Sequence, residues 1–165
     1  ETLVGIYSNA VSLSEAVMLF CSSLALVQYS SLSNNEDDSS SKQFSWKMSK
    51  INGIFTALAL LVLCLLPSEV YSFIFGKGFE EISQAIRILS IGVLPLSIAS
   101  NFTQYFYAKG NFKISTFASI IGLVITIIAG LILIPKYQLQ GAALAATLSY
   151  FTTFAIEFYF FVFRK

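Results

Sequence analysis

The sequence predicts an all-α integral membrane protein, and three observations support that fold class. Apolar residues make up 56% of the chain and charged residues 12%, with a mean hydropathy of +0.74, whereas a soluble domain carries roughly 25% charged residues. The apolar residues form five segments, most of which approach the roughly 20 residues that a helix needs to cross a bilayer. Runs such as "ALALLVLCLL" do not alternate as barrel strands do.

The five helices and their connections follow from where polar residues interrupt these segments. Helices are predicted over about 4–29, 51–75, 83–107, 114–134 and 142–163. Residues 30–50 contain the serine-rich, acidic stretch "SSLSNNEDDSSSKQ", which predicts a solvated loop. Pro67 predicts an end or kink in the second helix. Gly76 with Gly78, Gly110 with Asn111, and Pro135 predict the other turns.

The lysines and arginines predict an orientation. With the 30–50 loop, the 108–113 turn and the C-terminus on one side, that side carries Lys42, Lys47, Lys50, Lys109, Lys113, Arg164 and Lys165. The opposite side carries Lys77, Arg87 and Lys136. Seven basic residues on the first side against three on the other predict that the first side, which includes the C-terminus, is cytoplasmic.

Polar side chains recur on one face of four of the helices, and they are the candidate lining of a transport pathway. The candidates are Asn9, Ser12, Glu15, Arg87, Asn101, Gln104 and Glu157. Glu15 lies near the middle of the first span, where a charge costs about 2.5 kcal/mol or more. It is either a neutral carboxyl bonded to a neighbouring helix or a proton-linked group facing a cavity. Arg87 and Glu157 lie nearer the ends of their spans, where long side chains can reach the interface.

Small residues four apart on the last two helices predict close helix packing. They are Gly122, Gly130, Gly141, Ala145 and Ser149. Gly, Ala and Ser at such spacing allow helix backbones to approach each other.

Several classes of site are disfavoured by composition. The chain has no histidine, and its two cysteines are far apart in sequence, so no metal site is expected. The net charge is +1 and the basic residues are scattered, so no nucleic-acid partner is expected. The sequence contains no pair of carboxylates or histidines that would suggest catalysis. A membrane glycosyltransferase or ligase fragment is therefore a less favoured alternative, and a purely structural membrane subunit is a remote one.

Four motifs in this order resemble the C-terminal half of polysaccharide flippases, which move O-antigen and other lipid-linked oligosaccharides. The motifs are "VGIYSNAVSLSE", "VYSFIFGKGFEEISQAIRILSIG", "QYFYAKGNFKIS" and "LIPKYQLQGAALAATLSY". The same superfamily includes multidrug (MATE) and lipid II exporters. One departure is Gln138, which stands where the family usually has glycine.

The resemblance implies a bundle of twelve or more helices in two pseudo-symmetric halves, of which this chain supplies most of the second. It implies a multi-pass protein of the bacterial cytoplasmic membrane, whose partners are the bilayer, the N-terminal half and a polyprenyl-pyrophosphate-linked oligosaccharide. Alternating access around a central cavity would then turn the sugar across the membrane. No cofactor is implied beyond a coupling proton or Na⁺, for which Glu15 is the first candidate and Glu157 the second. The pyrophosphate would be attracted by Arg87. A multidrug or ion antiporter of the same superfamily is the main alternative.

Overall fold

The computed structural model describes residues 2–35, 37–76 and 82–163, and the secondary structure of these ranges is helical. The helices are α1 (Thr2–Ser33), α2 (Asp38–Leu65), α3 (Ser68–Phe75), α4 (Ile82–Ala108) and α5 (Phe112–Phe163). All but α3 are long and apolar enough to cross a membrane. The predicted all-α membrane fold is thereby confirmed.

The last helix, α5, consists of two arms joined at Gln138. The backbone of Gln138 has φ 46° and ψ −117° and separates residues 112–137 from residues 139–163. Gly141 lies against the backbone of Leu133, and Ser149 Oγ donates a hydrogen bond of 2.8 Å to the carbonyl of Gly122. Later residues of the second arm thus contact earlier residues of the first, so the arms are antiparallel. The reversal predicted between 134 and 142 is present, but it needs only one non-helical residue, so both predicted helices extend further into the turn than expected.

The predicted loop over about 30–50 is also wrong, because most of it is helical. Only residues around Asn35 and Asp37 connect α1 to α2. The Asp37 carboxylate caps α2 by accepting from the backbone N–H groups two and three residues later. The serines, taken as solvated, include three at four-residue spacing that are buried: Ser41, Ser45 and Ser49. Their small side chains form the face of α2 that packs inward.

Helix α1 has 32 residues and is therefore about 48 Å long, well beyond the roughly 30 Å of hydrocarbon in a bilayer. The polar segment 30–50 can thus lie outside the lipid while remaining helical. The drop in hydropathy over this segment therefore marks the membrane boundary rather than the end of the helix.

The predicted second helix, 51–75, is two helices. Leu66 and Pro67 have extended backbone conformations, with ψ 130° and 150°, as expected for the residue before a proline and for proline itself. Helix α3 then folds back so that Tyr71 Oη donates a hydrogen bond of 2.6 Å to the carbonyl of Leu63. It ends at Gly76, whose φ of 98° suits glycine. The predicted turn residue Gly78 lies outside the described residues.

The connections gather at two ends of the bundle. At one end, Tyr105 Oη donates a hydrogen bond of 2.7 Å to Asp38 and Lys109 Nζ donates one of 2.9 Å to the carbonyl of Asn35. These bonds tie the α1–α2 turn to the end of α4, and Gly110, with φ 71°, turns the chain into α5. At the other end, Gln140 on the second arm of α5 bonds Gln84 near the start of α4.

Helix α4 is the centre of the bundle and contacts the other four helices. Its buried side chains belong to two apolar clusters, one around Ile86 and Leu89 at the α3 end and one around Phe102 and Phe106. Large apolar side chains on the outer surface are exposed, including Leu131 (74%) and Leu19 (73%). In a membrane protein this surface faces lipid or further helices.

Candidate functional site

A polar cavity of about 230 Å³ lies between α1, α4 and both arms of α5. Its polar lining consists of Ser100, Thr103, Gln104, Tyr107, Ser115, Ser119, Thr153 and Glu157. Glu157 is 1% exposed, so it does not reach for the interface as its position in the sequence suggested. No lysine or arginine from the described part of the chain lines the cavity.

Thr103 is the direct partner of the Glu157 carboxyl. Its Oγ1 lies 2.8 Å from Oε1 and 2.9 Å from Oε2, and also 3.2 Å from the carbonyl oxygen of Ala99. One hydroxyl proton serves these acceptors alternately. Burying a charged carboxylate without a cationic partner costs free energy. A carboxyl group surrounded by hydroxyl and amide oxygens can bind a proton or a small cation that prefers oxygen ligands.

Gly122 brings the two arms of α5 together beside this cavity. A Cβ on Gly122 would lie 2.7 Å from Thr153 Oγ1 and 3.0 Å from Ser149 Oγ, which is too close for a larger residue. The second arm therefore contacts Gly122 through these two hydroxyls, and the carbonyl of Gly122 accepts the hydrogen bond from Ser149. This approach sets the first arm's Ser115 and Ser119 opposite Glu157 of the second.

Glu15 occupies a second polar contact next to the cavity. It is half-buried on α1, and Tyr150 Oη donates a hydrogen bond of 2.6 Å to its Oε1. The partner residues Met18 and Thr153, three positions on from Glu15 and Tyr150, line the Glu157 cavity. Glu157 lies seven residues beyond Tyr150, about 10 Å along the same arm of α5, so the two carboxyls occupy different levels of the α1–α5 interface.

The structure distributes the other predicted pathway residues over different surfaces. Gln104 lines the Glu157 cavity. Asn9 is half-buried on α1, and Ser12 is exposed there. Arg87 is exposed near the start of α4, 17 residues and about 25 Å from Gln104. Asn101 is fully buried on another side of α4. The single face predicted for α4 therefore separates into several environments.

Asn101 belongs to a polar seam between α1, α2 and α4. Gln28 Nε2 donates to Ser45 Oγ (3.0 Å) and to the backbone carbonyl of Asn101 (2.9 Å). Further along, Asn52 Nδ2 donates to the carbonyl of Cys21 at 3.3 Å. Hydrogen bonds of this kind hold helices together in lipid, so the seam has a structural explanation.

The predicted packing residues differ in how closely they are approached. A Cβ on Gly141 would collide with the backbone carbonyl group of Leu133, whereas one on Gly130 would meet only Ile134 Cδ1 at 3.6 Å. Ala145 is 2% exposed. Gly141 is thus at a true backbone contact, and Gly130 has room for a side chain.

Comparison with known proteins places this arrangement in a family. The family model described as "Lipid II flippase MurJ" matches residues 2–165. The chain belongs to the MurJ lipid II flippase family. Flippases of this family are transporters, and the polar cavity around Glu157 lies between helices that are long and apolar enough to cross a membrane.

The curated relatives of this flippase-family chain include a polysaccharide biosynthesis protein. The capsular polysaccharide biosynthesis protein CapF of Staphylococcus aureus is 34% identical over 110 residues, covering 66% of this chain and 28% of CapF. Two membrane proteins of Methanocaldococcus jannaschii are also similar. MJ1068 is 30% identical over 65% of this chain and 21% of its own length, and MJ1375 is 26% identical over 92% and 36%.

The chain thus spans about a third or less of the length of these relatives. No solved structure matches it.

Sequence reasoning overlooked several residues of the site. Thr103 and Tyr150, the partners of the two glutamates, were not candidates, and their hydroxyls become informative only once the opposing helix is known. The seam on α2 was hidden by the predicted loop. Its signal was present in Ser41, Ser45 and Ser49, whose four-residue spacing is typical of a packed helix face.

Proposed function

We propose that this chain is part of a flippase that moves a polyprenyl-pyrophosphate-linked oligosaccharide across the cytoplasmic membrane by alternating access. The observation that carries the proposal is the buried Glu157 in a polar cavity of a chain in the lipid II flippase family. Similarity to CapF, a capsular polysaccharide biosynthesis protein, supports an oligosaccharide head group for surface polysaccharide biosynthesis. The rest of the transporter, including its N-terminal half, completes the pathway.

We infer that Glu157, rather than Glu15, couples transport to the binding of a proton or Na⁺. Glu157 is almost fully buried and its bonded partner is a hydroxyl, so its charge state depends strongly on its surroundings. Glu15 is half-buried and already accepts a short bond from Tyr150. Arg87, exposed at the far end of α4, attracts the pyrophosphate.

The C-terminus is assigned to the cytoplasm. The tie between the α1–α2 turn and the end of α4, made by Lys109 and Tyr105, supports grouping the 30–50 and 108–113 segments on one side. That grouping underlies the count of seven basic residues against three, and positive charge favours the cytoplasmic side.

The test is complementation of a bacterial strain that lacks its own polysaccharide flippase. The full-length protein should restore surface polysaccharide and clear the lipid-linked oligosaccharide that accumulates without it. Glu157→Gln should reduce export by about one to two orders of magnitude, the size of a typical coupling between two ligands. The matched control is Glu69→Gln, which removes an exposed carboxylate on α3 and should export normally.

Two outcomes would contradict the proposal. If the full-length protein leaves the accumulated lipid-linked sugar unchanged but alters dye or drug resistance, the antiporter alternative replaces it. If export is normal in Glu157→Gln at equal expression, the coupling role of Glu157 is wrong, and Glu15→Gln becomes the decisive variant.

A further inference from the structure

An apolar groove of about 460 Å³ lies on the outside of the bundle, between α2, α4 and the second arm of α5. Gly53 of α2 forms its floor, since a Cβ there would lie 3.2 Å from Ile98 Cγ1 of α4. Phe154 and Phe158 of α5 form the opposite wall. A cleft of this size is within the roughly 300–1,000 Å³ of small-molecule sites.

The groove carries a positive charge at one end. Lys50 is exposed and lines the groove beside Trp46, with Nζ 5.6 Å from the centre of the indole ring. It is the last charged residue of α2, and residues 51–66 contain none. Lys50 and Trp46 therefore mark the membrane interface, where tryptophan and lysine side chains concentrate.

A second groove on the same molecule provides an internal comparison. It also measures about 460 Å³ and lies between the start of α1 and the reversal of α5, lined by Tyr7, Gln138 and aliphatic side chains. No charged residue from the described ranges lines it. The α2–α4–α5 groove thus differs in joining an apolar channel to one cation at the headgroup level.

We propose that the α2–α4–α5 groove binds an anionic phospholipid, with the phosphate at Lys50 and an acyl chain passing Gly53 and Ala57 towards the membrane interior. A single lysine matches the single negative charge of a phosphodiester headgroup. The apolar lining beyond Lys50 matches a hydrocarbon chain. The site is separate from the Glu157 cavity, since the two share no lining residue among those that the structure describes, so lipid binding here does not depend on the transported substrate.

Trp46, the only tryptophan of this chain, reports occupancy directly. The full-length protein, with any other tryptophans replaced by phenylalanine, would be reconstituted in phosphatidylcholine nanodiscs. Part of the lipid would be phosphatidylglycerol or phosphatidylcholine, in each case brominated near the headgroup to quench indole fluorescence. Phosphatidylglycerol should be enriched about fivefold at Trp46 over its bulk fraction, the effect of roughly one lysine–lipid attraction.

The matched variants separate the groove from the general surface. Lys50→Gln should reduce phosphatidylglycerol quenching to the phosphatidylcholine level. Lys47→Gln removes an exposed charge one turn away that does not line the groove, and should retain the preference. Ala57→Phe, which fills the groove, should reduce quenching by both lipids.

Three results would overturn the proposal. Equal losses in Lys47→Gln and Lys50→Gln would show general surface attraction. An absence of quenching by either brominated lipid would show that protein covers the groove. Relief of quenching by polyprenyl pyrophosphate at concentrations where unlabelled phosphatidylglycerol has no effect would assign the groove to the substrate's carrier lipid. None of these results would change the export phenotype of Glu157→Gln.

Discussion

Replacing Gln138 by glycine should stabilise the protein. Gln138 is the one non-glycine residue with positive φ in the described part of the chain, and its φ of 46° with ψ of −117° lies in a region that side-chain-bearing residues rarely occupy. Holding such a conformation costs about 1–3 kcal/mol. Glycine removes that strain and adds back about 0.5–1 kcal/mol of unfolded-state entropy. The expected net gain is therefore between about 0 and 2.5 kcal/mol, with a central value of roughly 1 kcal/mol.

The free energy of unfolding would be measured by denaturant titration of the purified full-length protein in detergent. Lys136→Gly is the control, because Lys136 is exposed in helical backbone two residues earlier and glycine there should cost about 1 kcal/mol. Gln138→Ala should leave stability nearly unchanged, since alanine keeps the strain. If Gln138→Gly destabilises the protein as much as Lys136→Gly, the strained reversal is wrong.

Two further predictions concern the α5 hairpin and the start of α2. Gly141→Ala should lower the free energy of unfolding by about 1–3 kcal/mol through overpacking against Leu133. Gly130→Ala, the control, should leave it unchanged or raise it. Equal effects of the two variants in the unfolding assay would contradict the antiparallel contact between the arms of α5. The pKa of Asp37 is lowered by the Ser40 side chain and by the backbone N–H groups that Asp37 caps. The ionised cap therefore stabilises α2 at pH values above the pKa of Asp37 in the unfolded chain. This stabilisation is lost as the pH falls through the lower pKa of Asp37 in the folded protein. Hydrogen exchange at the start of α2 should therefore quicken on acidification, and Asp37→Asn should abolish that pH dependence; an unchanged dependence in Asp37→Asn would exclude the cap as its cause.

Much of the fold could be predicted from local features of the sequence. Apolar segment lengths predicted membrane helices, and Pro67 and Gly110 predicted a break and a turn that the structure contains. These features succeed because each depends on local chemistry: the hydrocarbon thickness, a missing N–H group, or a permitted positive φ. The extent of α1 and α2 was missed because the polarity of a segment shows where lipid ends, and a helix can continue into water.

The sequence by itself determined that this chain is a membrane protein, that small residues recur at helix-packing spacing on the last two segments, and which flippase-like motifs it carries. Only the tertiary structure decided which polar groups meet. Glu157 is buried beside Thr103, Glu15 is half-buried and bonded to Tyr150, and Asn101 lies in a separate polar seam. The reason is that the environment of a carboxyl in a membrane helix is set by the helices packed against it, and the bonded residues there are 54 and 135 residues away in sequence.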